Sequence, residues 1–311
     1  MITALAGGVG AAKLLRGLVR VHDPAGVTAV VNTGDDLVMH GLHISPDLDT
    51  VLYTLGGRND DERGWGRRGE TWTVMEALGA LGGEDWFRLG DLDLATHLYR
   101  SQRLSQGASL SAVTAELARA LGVDVHLVPM SDDPVRTKVT LRDGVEVPFQ
   151  EYFVRLHHDV AVSSVRFEGA DAAAPAPGVL AAVAAAQTVV VCPSNPIVSI
   201  GPILAVPGVR AALAARRDRV VAVSPIVAGA ALKGPADRLL AELGHESSVR
   251  GVAELYAPFA GTLVVDEADG PMAPAVEAAG MRCVVAASVM HSVEDAAVLA
   301  QVVTEAALAA R

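Results

Sequence analysis

The opening residues constrain the fold more than any other part of the sequence. A short apolar run, 2–6, ends in Gly7-Gly8-Val9-Gly10, and a stretch with helical spacing of leucines follows from Lys13 to Val21. A second apolar run, 27–31, then leads into a polar loop. Strand, glycine loop, helix and strand in this order are typical of the first unit of a Rossmann-like sheet.

The same alternation returns in the second half of the chain. Strands are predicted at 188–192, 219–223, 261–265 and 282–286, and helices at 177–186, 208–216, 235–243 and 293–309. Only 4% of the residues are aromatic, so Ala, Val and Leu must fill the core. Such a core suits parallel strands covered by helices. We therefore predict an α/β fold with a Rossmann-like, mostly parallel sheet and helices on both faces.

The middle of the chain lacks this regular alternation. A helix is predicted from Pro46, after Ser45 as N-cap, to Gly56-Gly57, and a charged loop follows. Beyond that loop the patterns predict helices at 71–81, 93–104 and 109–121, and strands at 124–128, 136–141 and 161–166. These patterns predict a nucleotide-binding core formed by 1–57 and 161–311, with 58–160 as a mixed helical and β insertion.

Composition and charge exclude several classes of protein. The net charge of −11 argues against a nucleic-acid-binding surface. The N-terminus lacks the basic region of a signal peptide, and prolines and a glycine interrupt the apolar stretch 172–191, so no membrane span is predicted. Cys192 and Cys283 lie in apolar runs without ligand-spaced neighbours, which indicates reduced thiols in a cytoplasmic protein.

The glycine loop is the first candidate binding element. Gly7, Gly8 and Gly10 would let a phosphate approach the backbone, where the next helix directs its free N–H groups. Lys13 stands where a dinucleotide fingerprint has its third glycine, and the second strand ends in Asn32 instead of an acidic residue that would hold a ribose. An NAD site is therefore not expected. A tight turn without a ligand is the alternative.

Four aspartates within fifteen residues form the second candidate. Asp35 and Asp36 follow the second strand, and Asp47 and Asp49 lie at the start of the next helix. Carboxylates this close in sequence repel one another unless a cation lies among them. Mg²⁺, held by one or two carboxylates and substrate phosphates, is the natural partner. We predict Asp36 and Asp49 as metal-binding and catalytic residues, the alternative being solvated or helix-capping carboxylates.

Short polar side chains follow two of the later strands. Ser194, Asn195 and Ser199 lie in a proline-rich loop after the strand at 188–192, and Ser224 follows the strand at 219–223. No general base is near them in sequence, so ligand positioning is a better interpretation than nucleophilic attack.

The order and spacing of these motifs resemble the CofD family, called FbiA in actinobacteria. This family comprises the 2-phospho-L-lactate and phosphoenolpyruvate transferases of coenzyme F420 biosynthesis. The matching segments span residues 5–237. Besides the glycine loop they include Asn32-Thr33-Gly34-Asp35-Asp36, Ser45-Pro46-Asp47-Leu48-Asp49-Thr50, Leu89-Gly90-Asp91, Asp93-Leu94-Ala95-Thr96-His97, Pro129-Met130-Ser131-Asp132-Asp133, Pro193-Ser194-Asn195-Pro196, Ser224-Pro225-Ile226 and Gly234-Pro235-Ala236-Asp237.

The resemblance implies a definite reaction. A phospholactyl or phosphoenolpyruvyl group would pass from a guanosine-diphosphate-linked donor to the ribityl hydroxyl of the deazaflavin Fo, with Mg²⁺, and GMP would leave. The expected binding residues for the nucleotide and diphosphate are Gly7, Gly8, Gly10, Lys13, Ser194, Asn195, Ser199 and Ser224. Those for Fo, partly on the 58–160 insertion, are Asp49, Thr50, Asp91, Asp93 and His97. Leu92 stands where the family usually has arginine. A homodimer is also implied.

One rival interpretation is a regulatory protein. The gluconeogenesis-factor family shares the Rossmann-like core and the first glycine loop, and it resembles a non-catalytic binder of nucleotide sugars. The segment from His40 to Gly57, with Ser-Pro-Asp-Leu-Asp-Thr at its centre, matches the transferases and not this rival. The sequence leaves open whether the donor carries lactate or enolpyruvate.

Overall fold

The secondary structure follows the predicted alternation in a computed structural model that describes residues 1–309. The strands are β1 (Ile2–Ala6), β2 (Val27–Val31), β3 (Leu37–Met39), β4 (Leu42–Ile44), β5 (His126–Pro129), β6 (Arg136–Leu141), β7 (Glu146–Pro148), β8 (Val162–Glu168), β9 (Thr188–Val191), β10 (Val220–Val223), β11 (Ile226–Val227), β12 (Ala230–Ala231), β13 (Thr262–Val265) and β14 (Arg282–Val285). The helices are α1 (Gly8–Val21), α2 (Pro46–Leu55), α3 (Thr73–Ala80), α4 (Asp91–Ser105), α5 (Leu110–Ala120), α6 (Val179–Ala185), α7 (Gly201–Ala205), α8 (Val209–Ala214), α9 (Ala236–Glu242), α10 (Val249–Tyr256), α11 (Ala273–Ala278) and α12 (Val293–Leu308).

Seven parallel strands form the central sheet, in the order β5-β2-β1-β9-β10-β13-β14. The order reverses between β1 and β9, because the chain first adds strands on one side of β1 and then on the other. Open α/β sheets bind ligands outside the carboxyl ends of the strands at such a switch point. The predicted α/β, Rossmann-like fold is confirmed, and the loops after β1 and β9 mark its binding edge.

Helices cover both faces of this sheet. Alternate residues of β1 enter different cores: Ala4 and Ala6 pack on the side of α1, α2, α5 and α12, and Leu5 packs on the side of α6, α8 and α10. Both sets are fully buried, as the period of two in a strand requires when neither face meets water.

Helix α1 begins at Gly8, earlier than the predicted start at Lys13. The prediction relied on the apolar period, which starts only at Leu14, after the glycines. Gly8 has a φ of 72°, a left-handed conformation that a residue with a side chain adopts only with strain. A Cβ on Gly10 would overlap the carbonyl oxygen of Pro193 in the loop after β9. The glycines therefore let the two loops at the switch point pack closely.

The segment 58–160 is joined to the core more closely than its predicted division suggests. Strand β5 pairs in parallel with β2 and forms one edge of the central sheet. Strands β6, β7 and β8 form a separate antiparallel sheet that continues beyond residue 160. The β3-β4 hairpin and helices α10 and α11 were not predicted. The hairpin strands and α11 are too short to show a clear period, whereas α10 has one, at 249, 252, 253 and 256, that was overlooked. Within residues 1–309, no helix combines the length and apolar character needed to cross a membrane.

Candidate active site

The loops after β1 and β9 contact each other directly at the switch point. The Gly7 amide donates a hydrogen bond to Ser194 Oγ at 3.2 Å. A Cβ on Gly7 would lie 2.6 Å from Ser199 Cβ and 3.0 Å from a carboxylate oxygen of Asp47. Gly7, Ser194 and Ser199, which were predicted to bind the nucleotide, thus meet Asp47 at the N-terminus of α1.

Two other predicted nucleotide-binding residues serve local turns. Asn195 Oδ1 accepts from the amides of Ile197 at 2.9 Å and Val198 at 3.3 Å, and so caps a π-helical turn. Ser224 Oγ donates to the carbonyl of Ile226 at 2.9 Å and accepts from its amide at 3.1 Å. Both lie after parallel strands at the binding edge, and their nucleotide-binding roles stay predictions.

Asp35, Asp36 and Asp47 form an acidic cluster beside the glycine loop. Each is at most 8% exposed. Asn32 Nδ2 donates to Asp47 Oδ2 at 2.9 Å, and Ser45 Oγ donates to Asp36 Oδ2 at 2.8 Å. Asn32, after β2, was not predicted to take part in the site. Ser45 does occupy the predicted N-cap position of α2, but its hydroxyl donates to Asp36 and makes no capping hydrogen bond in the described residues.

Burial and mutual repulsion make the charged forms of Asp35 and Asp47 unfavourable. Burial raises the pKa of Asp47 to about 7, and the Asp36 charge adds to this effect. Burial, followed by the Asp47 charge, raises the pKa of Asp35 well above its usual range. The Oδ1 atoms of Asp35 and Asp36 and the hydroxyl of Thr33 are buried without a hydrogen-bond partner in the part of the chain that the structure describes. Uncompensated carboxylates and unpartnered oxygens are features that a bound cation would satisfy.

Asp49 belongs to a second group, a buried ion-pair network with Tyr53, Asp93, His97 and Arg100. The Arg100 guanidinium is fully buried and donates to both carboxylate oxygens of Asp49. Tyr53 donates its hydroxyl to Asp93 Oδ1 at 2.5 Å. His97 lies between the two carboxylates, with Nδ1 3.6 Å from Asp49 Oδ2 and Nε2 3.3 Å from Asp93 Oδ2. The network therefore joins α2 to α4.

Arg100 was not among the predicted site residues. Residues 93, 97 and 100 of α4 have the i, i+4, i+7 spacing of one helix face, so a signal was present in the sequence. One potential ligand atom from each of Asp49, Asp93 and His97 lies within 4.8 Å of the others. Because Arg100 already neutralises Asp49, a metal ion here would compete with the guanidinium for the same oxygens. The metal-binding role of Asp49 stays a prediction that this contact does not favour.

Asp91 does not join the other predicted Fo-binding residues. Its carboxylate accepts from the Thr71 hydroxyl at 2.5 Å and from the amides of Thr73 and Val74 at 3.2 and 3.1 Å. Asp91 thereby caps the N-terminus of α3. The neighbouring Leu92 is 42% exposed. The contacts of Asp91 are those of a structural cap, and its role towards Fo stays a prediction.

His43 connects the acidic cluster with the ion-pair network. Its Nε2 lies 2.9 Å from Asp36 Oδ2, and its carbonyl accepts from Arg100 at 3.4 Å. His43 lies on β4 of the short hairpin that separates β2 from α2. The two predicted catalytic aspartates, Asp36 and Asp49, are therefore linked through two residues, His43 and Arg100.

A pocket opens between α1, α2 and the loop 59–66, and it is lined by Tyr53 of the ion-pair network and by Val9 of the glycine loop. Three cations line it, namely Lys13, Arg16 and Lys233, together with Thr50 and Trp65. We call it the cationic pocket. Burial lowers the pKa of Lys13, and the charges of Lys233 and Arg16 lower it further. The structure thus places two predicted binding residues, Lys13 and Thr50, on one pocket.

Known proteins with similar sequences are transferases. A family model described as "2-phospho-L-lactate transferase CofD" matches residues 2–303. A protein of Kitasatospora aureofaciens named phosphoenolpyruvate transferase is 49% identical, covering 96% of this chain and 95% of its own. A protein of Mycolicibacterium smegmatis with the same name is 45% identical, covering 85% of this chain and 86% of its own.

Solved structures with the same fold are more distant in sequence. A crystal structure of a Bacillus halodurans protein of the UPF0052 family superimposes with a TM-score of 0.64. It is 19% identical and covers 97% of each chain. At 19% identity, this similarity shows only that the two proteins share a fold.

Proposed function

The chain belongs to the CofD family of phosphoenolpyruvate and 2-phospho-L-lactate transferases, and on that premise we propose its substrates and products. The acceptor is the deazaflavin Fo, the donor is a guanosine-diphosphate-linked ester, and GMP leaves. The shared name of the curated relatives favours enolpyruvate over lactate as the donor's acid. Cys192 and Cys283 are free thiols, which supports a reducing, cytoplasmic setting. Family membership favours this proposal over a nucleotide-sugar regulator.

One observation carries the proposal: the acidic cluster lies against the glycine loop at the switch point. A diphosphate held by the N-terminus of α1 would meet Asp47, whose carboxylate lies 3.0 Å from the position of a Cβ on Gly7. Like charges this close are unfavourable in a buried site. A cation bound between them would remove this repulsion, so we expect binding of the donor to be coupled to binding of a cation.

The residues of the acidic cluster fit Mg²⁺. Within residues 1–309, Asp36 offers a buried Oδ1 without a partner, while its Oδ2 accepts from Ser45 and lies close to His43. Mg²⁺ in phosphoryl-transfer enzymes takes one or two carboxylates and leaves its other positions to water and phosphates, so a cage of three carboxylates is unnecessary. When bound, Mg²⁺ would neutralise charge on the diphosphate. We assign Asp36 to hold it, with Asp35 and Asp47 nearby.

The remaining groups position the two substrates. The backbone at Gly8 and the first turn of α1 orient the diphosphate. Arg100 fixes the Asp49 carboxylate, which we assign to orient the accepting hydroxyl of Fo, and Asp93 and His97 face the same side. Positioning and electrostatic stabilisation account for most of the rate enhancement in enzymatic phosphoryl transfer, because the protein does little covalent chemistry.

A homodimer is supported by apolar side chains on α3, α4 and the turn after α3. Val74 is 50% exposed, Leu81 is 85% exposed and Leu98 is 56% exposed. Exposed apolar residues grouped on neighbouring elements are typical of interfaces. Sedimentation equilibrium should give twice the mass of the chain, and a monomer at micromolar concentration would exclude this assembly.

Mass spectrometry tests the proposed reaction directly. Fo, Mg²⁺ and each candidate donor are incubated with the wild type, with Asp36→Asn and with Asp124→Asn, a control that changes an exposed aspartate at the start of the segment leading into β5. We expect a phosphodiester of Fo and stoichiometric GMP from the wild type and the control, and a loss of at least about 100-fold in Asp36→Asn. An unmodified Fo with every donor would overturn the proposed function.

A further inference from the structure

The cationic pocket has more positive charge than its surroundings balance. Lys13, Arg16 and Lys233 converge in a chain with a net charge of −11. Arg16 lies 3.4 Å from Asp61, which is largely exposed. Asp60, the other acidic residue of the pocket, is paired with Arg63. The pocket therefore holds an excess of positive charge that a bound anion would offset.

Lys233 is brought into the pocket by the loop that precedes α9. A Cβ on Gly64 would lie 2.6 Å from Lys233 Nζ, so the ammonium group rests directly on the 59–66 loop. Burial lowers the pKa of Lys13, and the nearby charge of Lys233 lowers it further. Two ammonium groups held near each other at a cleft have the arrangement expected of an anion site.

Lys13 retains donors for a ligand. Its Nζ donates one hydrogen bond, to the carbonyl of Met290 at 3.0 Å, out of three available. Side chains on a helix tilt towards its N-terminus, so Lys13 is directed from the second turn of α1 back towards the first. Thr50 and Thr54 of α2 line the opposite wall, about one and two turns beyond Asp47. The pocket thus adjoins the proposed diphosphate position without including it.

We propose that the cationic pocket binds the carboxylate-bearing phosphate end of the donor, with Lys233 as a specificity-determining residue. The inference rests on the proposed function and names the part of the donor that this pocket takes. A phosphate ester with a neighbouring carboxylate is a compact polyanion, and three cations match its charge. The guanosine end then lies on the other side of the acidic cluster, near the loop after β9.

Isothermal titration calorimetry with separate probes tests this assignment. Phosphoenolpyruvate, GDP and inorganic phosphate are titrated into the wild type, Lys233→Gln and Arg142→Gln, a control that removes an exposed charge in the turn between β6 and β7. Loss of one charged hydrogen bond should weaken phosphoenolpyruvate binding about 10-fold or more in Lys233→Gln. Affinity for GDP should stay within about twofold of the wild type, and the control should match the wild type for all probes.

Several results would overturn the assignment. They are no binding of phosphoenolpyruvate to the wild type, equal losses for GDP and phosphoenolpyruvate in Lys233→Gln, or inorganic phosphate binding as tightly as phosphoenolpyruvate. If the wild type transfers the donor's group to Fo while Lys233→Gln binds phosphoenolpyruvate normally, the assignment of the pocket is refuted and the proposed function stands. If the wild type is inactive towards Fo but shows the predicted binding pattern, the proposed function is refuted and the assignment of the pocket stands.

Discussion

Replacing Arg100 by methionine should destabilise the fold strongly. The guanidinium is fully buried and donates to both oxygens of Asp49, which is itself 4% exposed. Methionine has a similar length but no charge, so Asp49 would remain as a buried, uncompensated carboxylate. Breaking a buried ion pair from one side costs about 3–5 kcal/mol of the free energy of unfolding. That is a large part of the roughly 5–15 kcal/mol that stabilises a typical domain.

Urea denaturation followed by circular dichroism measures this loss. The matched control is Arg103→Met on the same helix, whose partner Glu116 is partly exposed, so its loss should be clearly smaller. The double variant Arg100→Met with Asp49→Asn should recover part of the stability, because it removes the orphaned charge. Equal losses in Arg100→Met and Arg103→Met, or no recovery in the double variant, would refute the buried-pair reasoning.

Two further predictions follow from the acidic cluster and the glycine loop. Because burial raises the pKa of Asp47 to about 7, the metal-free folded protein keeps a proton that the unfolded chain releases near pH 4, and its free energy of unfolding should fall as pH rises from about 4 to 7. Asp47→Asn should flatten that fall in urea titrations with EDTA, and an unchanged slope would contradict the assignment. Gly10→Ala should lower the free energy of unfolding by about 1–3 kcal/mol, because its Cβ would overlap the Pro193 carbonyl. A Cβ on Gly26 would meet no atom of the described residues within 4 Å, so Gly26→Ala should be nearly neutral in thermal denaturation.

The parallel sheet was predictable because each of its strands is a short apolar run followed by a turn signal. The glycine loop and the early aspartates were equally visible, since they follow the first two strands directly. Strand β5 was harder to place, because nearly a hundred residues separate it from its partner β2 and nothing local reports their pairing. The early start of α1 was missed because glycines carry no apolar period.

The partner of Asp49 could not be found from sequence order alone. Arg100 lies 51 positions away and reaches Asp49 because α4 packs on β4, which precedes α2. The i, i+4, i+7 spacing on α4 indicated a shared helix face, but it did not indicate which element that face contacts. The same limit applies to Lys233, whose place in the cationic pocket depends on the path of a loop.

Electron paramagnetic resonance with Mn²⁺ in place of Mg²⁺ tests whether a cation joins the acidic cluster to the donor. We propose that Asp36 would hold this cation next to a diphosphate bound at the glycine loop. Wild-type protein with Mn²⁺ and GDP should therefore show ³¹P hyperfine coupling to the metal, and Asp36→Asn should lose it. Mn²⁺ bound without phosphorus coupling in the wild type, or coupling unchanged in Asp36→Asn, would contradict the account.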